Sequence, residues 1–177
     1  FRYKSSAVDH KAELGTIEAD VSGRFGRWKS EPFRASKLSQ MVSKLKDINS
    51  ILDVGGGNLL AANFFVSQNL KVDVCDFSNS VYLELSKLSE SGINEFKEGD
   101  FNKINFEKKY DAVWCSHVLE HMPDVGFFLD KLISLVNEDG YIAVAVPPRK
   151  PFIVSGHINL FNPGMLVYRF ILAGLDC

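Results

Sequence analysis

Cysteine is scarce in this chain. Three occur in 177 residues, Cys75, Cys115 and Cys177. The count is odd and lacks the short paired spacing of a metal site, so neither a disulfide framework nor a cysteine-based zinc site is indicated. Cys75 and Cys115 fall in apolar runs, where a thiol acts as a small hydrophobe, and this usage suits a reduced, cytoplasmic setting. No apolar run approaches the ~18 residues that a membrane span requires. An excess of charge is also lacking: 20 Lys plus Arg against 22 acids leave a net charge of −2. That balance argues against a nucleic-acid partner for the chain as a whole. There is no internal repeat and no low-complexity tract. No signal peptide is evident, although a chain that opens on Phe1 rather than Met reads as a fragment. What remains is 46% apolar and 24% charged, one globular domain's worth of sequence with enough material for a core.

Residues 1–36 are polar and broken by Gly15, Gly23, Gly26 and Pro32. They are expected to form an extension ahead of a domain that occupies 37–177. Ser36 is positioned to cap a helix over 37–46, with Leu38, Met41, Val42 and Leu45 on one face. Beyond it the pattern becomes regular. Strands are expected at Ile51–Val54, Val72–Cys75, Glu95–Lys97, Ala112–Cys115 and Tyr141–Val146. Helices are expected at Leu59–Asn69, Ser80–Glu90 and Val125–Val136, the last closed by a turn at Asn137-Glu138-Asp139-Gly140. A final helix should be capped by Asn162, carry Pro163 in its first turn and stop before Gly174. Strands alternating with helices predict an α/β fold, a doubly wound, mostly parallel sheet with helices on both faces. Ligands of such sheets bind beyond the carboxyl ends of the strands.

The residues at those ends are informative. Ile51-Leu52-Asp53-Val54-Gly55-Gly56-Gly57-Asn58-Leu59 is an apolar run, an acid, three glycines and the start of a helix. A turn without side chains lets a ligand approach the backbone, and the helix behind it aims free N–H groups at the same place. Asp76 ends the next strand, where an acid can accept hydrogen bonds from both ribose hydroxyls of an adenosine. A dinucleotide fingerprint would need a third glycine at Leu60, and Asp53 would repel a pyrophosphate while suiting a cationic ligand.

Asp53-Val54-Gly55-Gly56-Gly57 resembles the first motif of the class I S-adenosylmethionine-dependent methyltransferases, with Leu59 where a third glycine often stands. The resemblance runs along most of the chain from about residue 37. It implies a Rossmann-like fold, S-adenosylmethionine as cofactor, and a pocket formed by Asp53, Gly55, Gly56, Gly57 and Asn58. Asp76-Phe77 resembles the ribose-binding acid with an apolar neighbour against adenine. Glu98-Gly99-Asp100-Phe101 resembles the segment after the third strand, where Asp100 would meet the adenine amino group and Phe101 would flank the ring. The segment from Tyr110 to His121 resembles the fourth strand and its exit, where Ser116 and His117 would line the methionine end. Each motif alone is weak; four in order, each at a strand end, are specific. The segment around Asn162-Pro163 further resembles a subgroup associated with bacterial surface-glycan and natural-product clusters, which implies a small-molecule or saccharide acceptor. Members of the family usually finish with an antiparallel C-terminal hairpin. This chain reaches Cys177 without one, so an open sheet edge is expected, covered by a partner, by a second copy in a homodimer, or by further residues of the chain.

His117-Val118-Leu119-Glu120-His121 also matches the H-x-x-E-H letters of a metalloprotease. That chemistry needs a continuous helix, which Met122-Pro123 interrupts, so no metal is expected. His121 and His157 are instead candidate general bases, their type titrating in the right range for a hydroxyl acceptor. Asn159 and Arg149 are candidate substrate contacts in the long connection after the fifth strand. The basic and aromatic stretch before residue 37 could bind RNA, but the resemblance implies a lid, with Arg27 and Trp28 as its candidate residues. Two other readings stay open, a dinucleotide oxidoreductase of the NAD type and a non-catalytic interaction module that keeps the fold.

Overall fold

A computed structural model describes residues 42, 45, 47–77, 92–147 and 156–175. Five strands make one sheet: β1 (Ser50–Val54), β2 (Lys71–Asp76), β3 (Glu95–Glu98), β4 (Tyr110–Ser116) and β5 (Val136–Ala145). Their order is β3-β2-β1-β4-β5, and every pairing is parallel. Three α-helices are described: α1 (Leu60–Ser67), α2 (Val125–Ser134) and α3 (Pro163–Leu172). The expected helix over 80–90 and most of that over 37–46 lie outside the described residues.

Alternation along the strands sorts the side chains into two cores, as a period of two requires. Leu52, Val54, Cys75, Val113 and Cys115 point to one face, where Val125, Phe128, Leu129 and Leu132 of α2 cover them. Ile51, Val72, Val74, Ala112 and Trp114 point to the other, against Ala62 and Phe65 of α1. Strands apolar on both faces are what a parallel sheet between helices demands. The capping of α3 follows the sequence: Asn162 Oδ1 accepts from Met165 N at 2.8 Å, with Pro163 at the first turn. For α2 the cap is Asp124, whose Oδ1 accepts from Phe127 N at 2.9 Å.

One boundary differs from the sequence expectation. The helix ends at Ser134, and β5 begins at Val136, ahead of the expected turn. Val136 pairs with Tyr110 and Tyr141 with Ala112, so residues 137–140 bulge from β5 opposite the single residue Asp111. The turn exists, with Asp139 at φ +63°, but it sits inside a strand. Asp111 organises it. Its Oδ1 accepts from Asn137 Nδ2 at 2.8 Å, and its Oδ2 accepts from the backbone N–H groups of Asn49 and Ser50 at 2.9 and 3.0 Å.

A second polar anchor is Asp73, buried in β2. It accepts from Tyr110 Oη at 2.7 Å and Asn94 Nδ2 at 2.6 Å, and pairs with Lys108. Burial pushes its pKa up, but the bonds from Lys108, Asn94 and Tyr110 outweigh burial and hold it below the ordinary carboxylate value. A depressed pKa contributes stability that is present above the unfolded value and lost as pH falls through the folded one. Tyr110→Phe should therefore cost about 1–3 kcal/mol at pH 7, the loss of one buried bond to a charged group. Urea unfolding at pH 7 and below pH 4 checks this: the difference from wild type should shrink on acidification.

Candidate active site at the switch point of the sheet

Strand order reverses between β1 and β4, so the connections leaving these two strands diverge and open a crevice. The glycine turn lies there. Gly55 has φ +75° and donates its N–H to Cys75 O at 2.8 Å. A Cβ on Gly55 would run into the Val118 side chain, and one on Gly56 into Val74. Gly57, at φ +51°, donates its N–H to Asp76 Oδ2 at 2.8 Å. The remaining Asp76 oxygen accepts from Phe77 N at 2.7 Å, and each oxygen keeps a second lone pair for a ligand. Asn58 is exposed, and its Oδ1 accepts from Leu60 N at 3.3 Å, so it steadies the start of α1. Leu59 takes φ +61° as the residue before the helix. The left-handed backbone costs about 1–2 kcal/mol in a branched residue; full burial of the side chain offsets it.

Asp53 is 2% exposed, and its Oδ2 has no hydrogen-bond partner among the described residues. Burial, and next the charge of Asp76, outweigh the bond from the Ala62 backbone and raise its pKa to about 7. Phe77 stands at the rim, 50% exposed. Asp100 is half-buried, and its Oδ1 accepts from Asn102 N at 3.0 Å. Phe101 follows Asp100 in the chain. It is buried in the core, with centroids 5.0 Å from Phe128 and 5.8 Å from Phe106. The apolar surface of α2 claims a phenyl ring at this position.

The exit of β4 holds the site's other half. Ser116 is half-buried at the strand end, and His117 is exposed with φ +59°. A single 3-10 turn, Leu119–His121, follows. As the sequence implies, no helix continues into Pro123. Glu120 in this turn is fully buried, and neither carboxylate oxygen has a hydrogen-bond partner among the described residues. Its backbone oxygen accepts from Ile158 N and Asn159 N, both at 3.0 Å. Asn159 Nδ2 donates to Met122 O at 2.6 Å and clamps the segment to the turn. These bonds bring His157 to the turn. Nδ1 of His117 lies 3.4 Å from Glu120 Oε1; Nε2 of His121 and of His157 each lie 4.0 Å from it. The His121 and His157 rings meet edge to face at 4.8 Å. Glu120 is the functional candidate that motif reading left without a role; the only sign of it was an acid flanked by His117 and His121. Arg27, Trp28 and Arg149 lie outside the described residues.

Comparison with known proteins agrees with this fold. A family model described as a methyltransferase domain matches residues 52–142. A ubiquinone biosynthesis O-methyltransferase of Rickettsia conorii is 25% identical over 165 residues, 91% of this chain and 53% of that protein. One from Leptothrix cholodnii is 31% identical over 127 residues, 68% of this chain and 53% of that protein. The chain thus spans about half the length of these curated relatives. Among solved structures, an O-methyltransferase family protein from Burkholderia thailandensis superposes with a TM-score of 0.65 at 15% identity, over 96% of this chain and 56% of that one. A SAM-dependent methyltransferase from Archaeoglobus fulgidus gives 0.64 at 18% identity, over 80% and 67%. At these identities the likeness establishes the fold.

The raised pKa of Asp53 has a consequence for stability. An acid whose folded pKa exceeds its unfolded one contributes stability at low pH that is lost as pH rises from about 4 to about 7. Asp53→Asn should therefore raise the melting temperature of the ligand-free protein at pH 8 and leave it nearly unchanged at pH 4. Melting curves across that range check the trend.

Proposed function

The chain belongs to the methyltransferase-domain family, and on that footing we propose that it moves the methyl group of S-adenosylmethionine to a hydroxyl-bearing small molecule. The observation that carries the reading is the pairing of Asp53 and Asp76 across a glycine turn at the switch point. A buried carboxylate with an unpartnered oxygen fits a cationic ligand and disfavours a pyrophosphate. The O-methyltransferase names of the relatives support oxygen as the acceptor atom, and a saccharide hydroxyl belongs to the same class of acceptor.

When bound, the cofactor supplies an electrophilic methyl carbon and a sulfur that departs as a neutral thioether. The residues of the chain bind, align and exclude water. Asp76 accepts from the ribose hydroxyls while keeping Gly57 in place. Gly55, Gly56 and Gly57 let the backbone approach the ligand. Phe77 covers the adenine from the rim, and Asp100 takes its amino group. Asp53 stands against the positive end, and Ser116 and His117 line it. His121 and His157 handle the acceptor's proton, directly or through what they hold. The buried free thiols Cys75 and Cys115 support a cytoplasmic setting, and no described helix is long and apolar enough to cross a membrane.

Calorimetric titration with S-adenosylmethionine, with NAD as control, tests this. Binding should be micromolar for the first, absent for the second, and weakened at least tenfold in Asp76→Ala. If the cofactor's cation is bound against ionised Asp53, binding should be about tenfold weaker at pH 6 than at pH 8, and Asp53→Asn should flatten the dependence. Absence of binding by folded protein would overturn the reading.

A further inference from the structure

Glu120 poses a problem that methyl transfer does not solve. An ionised carboxylate removed from water is costly unless paired or hydrogen-bonded, and this one has neither oxygen hydrogen-bonded among the described residues. Its neighbours are imidazoles, and for one of them the proton can be located. His121 Nδ1 lies 2.7 Å from Gly156 O. A carbonyl only accepts, so the Nδ1 of His121 carries the hydrogen. In the neutral ring Nε2 is then a bare lone pair, and it faces Glu120 Oε1 across 4.0 Å. Two acceptors turned toward each other at that separation, too long for a hydrogen bond, leave room for a cation between them.

We propose that Glu120, His121 and His157 form a binding site for a divalent transition-metal ion. One donor atom from each of the three lies within 4.8 Å of the others. Ligand bonds of about 2.0–2.2 Å to a shared ion bring such donors roughly 3–4 Å apart, so side-chain adjustments of under about 1 Å close the site. Two imidazoles and one carboxylate are a donor set that zinc and similar ions accept while keeping positions open. The surrounding bonds hold the donors ready. Gly156 O orients His121, the relation in which a ligating imidazole gives its other N–H to a carbonyl. Gly156 itself has φ +81°, and a Cβ there would stand 3.4 Å from His121 Nδ1. Ile158 N and Asn159 N on Glu120 O, with Asn159 Nδ2 on Met122 O, fasten the His157 segment to the turn.

Metal binding stands independently of the proposed function; only its chemical consequence rests on that reading. An acceptor hydroxyl at an open position becomes more acidic. Its proton leaves to solvent, the new O–CH3 bond forms, and the C–S bond breaks with its electron pair kept by sulfur. No oxidant or reductant is involved, and while the ion is bound the imidazoles act as its ligands rather than taking the proton directly.

The test is metal stoichiometry. Untagged protein freed of metal by chelation is titrated calorimetrically with Zn(II), Co(II) and Mn(II), and metal content is measured after gel filtration. One ion per chain is expected for at least one of them, with binding weakened at least tenfold in His157→Ala and in His121→Ala. Co(II) should develop visible absorption that both variants lose. Glu120→Gln serves as a third variant where circular dichroism shows it folded. S-adenosylmethionine affinity in His157→Ala should stay within about threefold of wild type. No stoichiometric ion in folded wild type, or binding unchanged in both histidine variants, would overturn the site. An ion bound without cofactor affinity would retain the site and overturn the methyl-transfer reading.

Discussion

Everything at the proposed site depends on the contact between the first loop and the exit of β4. β1 and β4 pair in parallel from Ile51 with Ala112 to Val54 with Cys115, and beyond that point their chains must diverge. They can stay close only because Gly55 has no side chain where Val118 packs. That approach sets the Asp53 and Asp76 pair beside the turn bearing Glu120. A larger residue at 55 would separate the two halves, and its φ would be strained as well.

The three acids buried among the described residues divide by their partners. Asp73 has a hydroxyl, an amide and an ammonium around it, and its role ends with holding β2 to the start of β4. Asp53 and Glu120 are buried as deeply, yet each leaves carboxylate oxygen unpartnered among the described residues. A fold that carries such a cost does so where something else completes the pairing. Both lie beyond or near the carboxyl ends of adjacent strands. One suits a cationic organic ligand; the other, ringed by imidazoles, suits a metal ion.

Most of the architecture was legible in the sequence because buried parallel strands are short apolar runs, and Ile51–Val54, Val72–Cys75 and Ala112–Cys115 are bounded by polar residues or glycine. The β5 start was not legible. Asn137-Glu138-Asp139-Gly140 has turn chemistry, and only the pairing of Val136 with Tyr110 puts that turn within a strand. The burial of Phe101 was not legible for a related reason. An aromatic residue after a glycine and an acid resembles a ligand contact, while its burial depends on Phe128, reached only through the fold. The bond from Asn159 to Met122 likewise exists only once the loop folds back.

Local spacing by itself determined the alternating fold, the glycine turn and the acids at the strand ends, because those features are written in neighbouring residues and in the period of two. Tertiary structure alone decided what surrounds Glu120. The letters His117, Glu120 and His121 describe one broken turn, and Pro123 does end it. The remaining imidazole, His157, arrives by a backbone clamp onto the Glu120 carbonyl. No periodicity encodes that juxtaposition, since it arises from hydrogen bonds between segments that meet only when the sheet has formed.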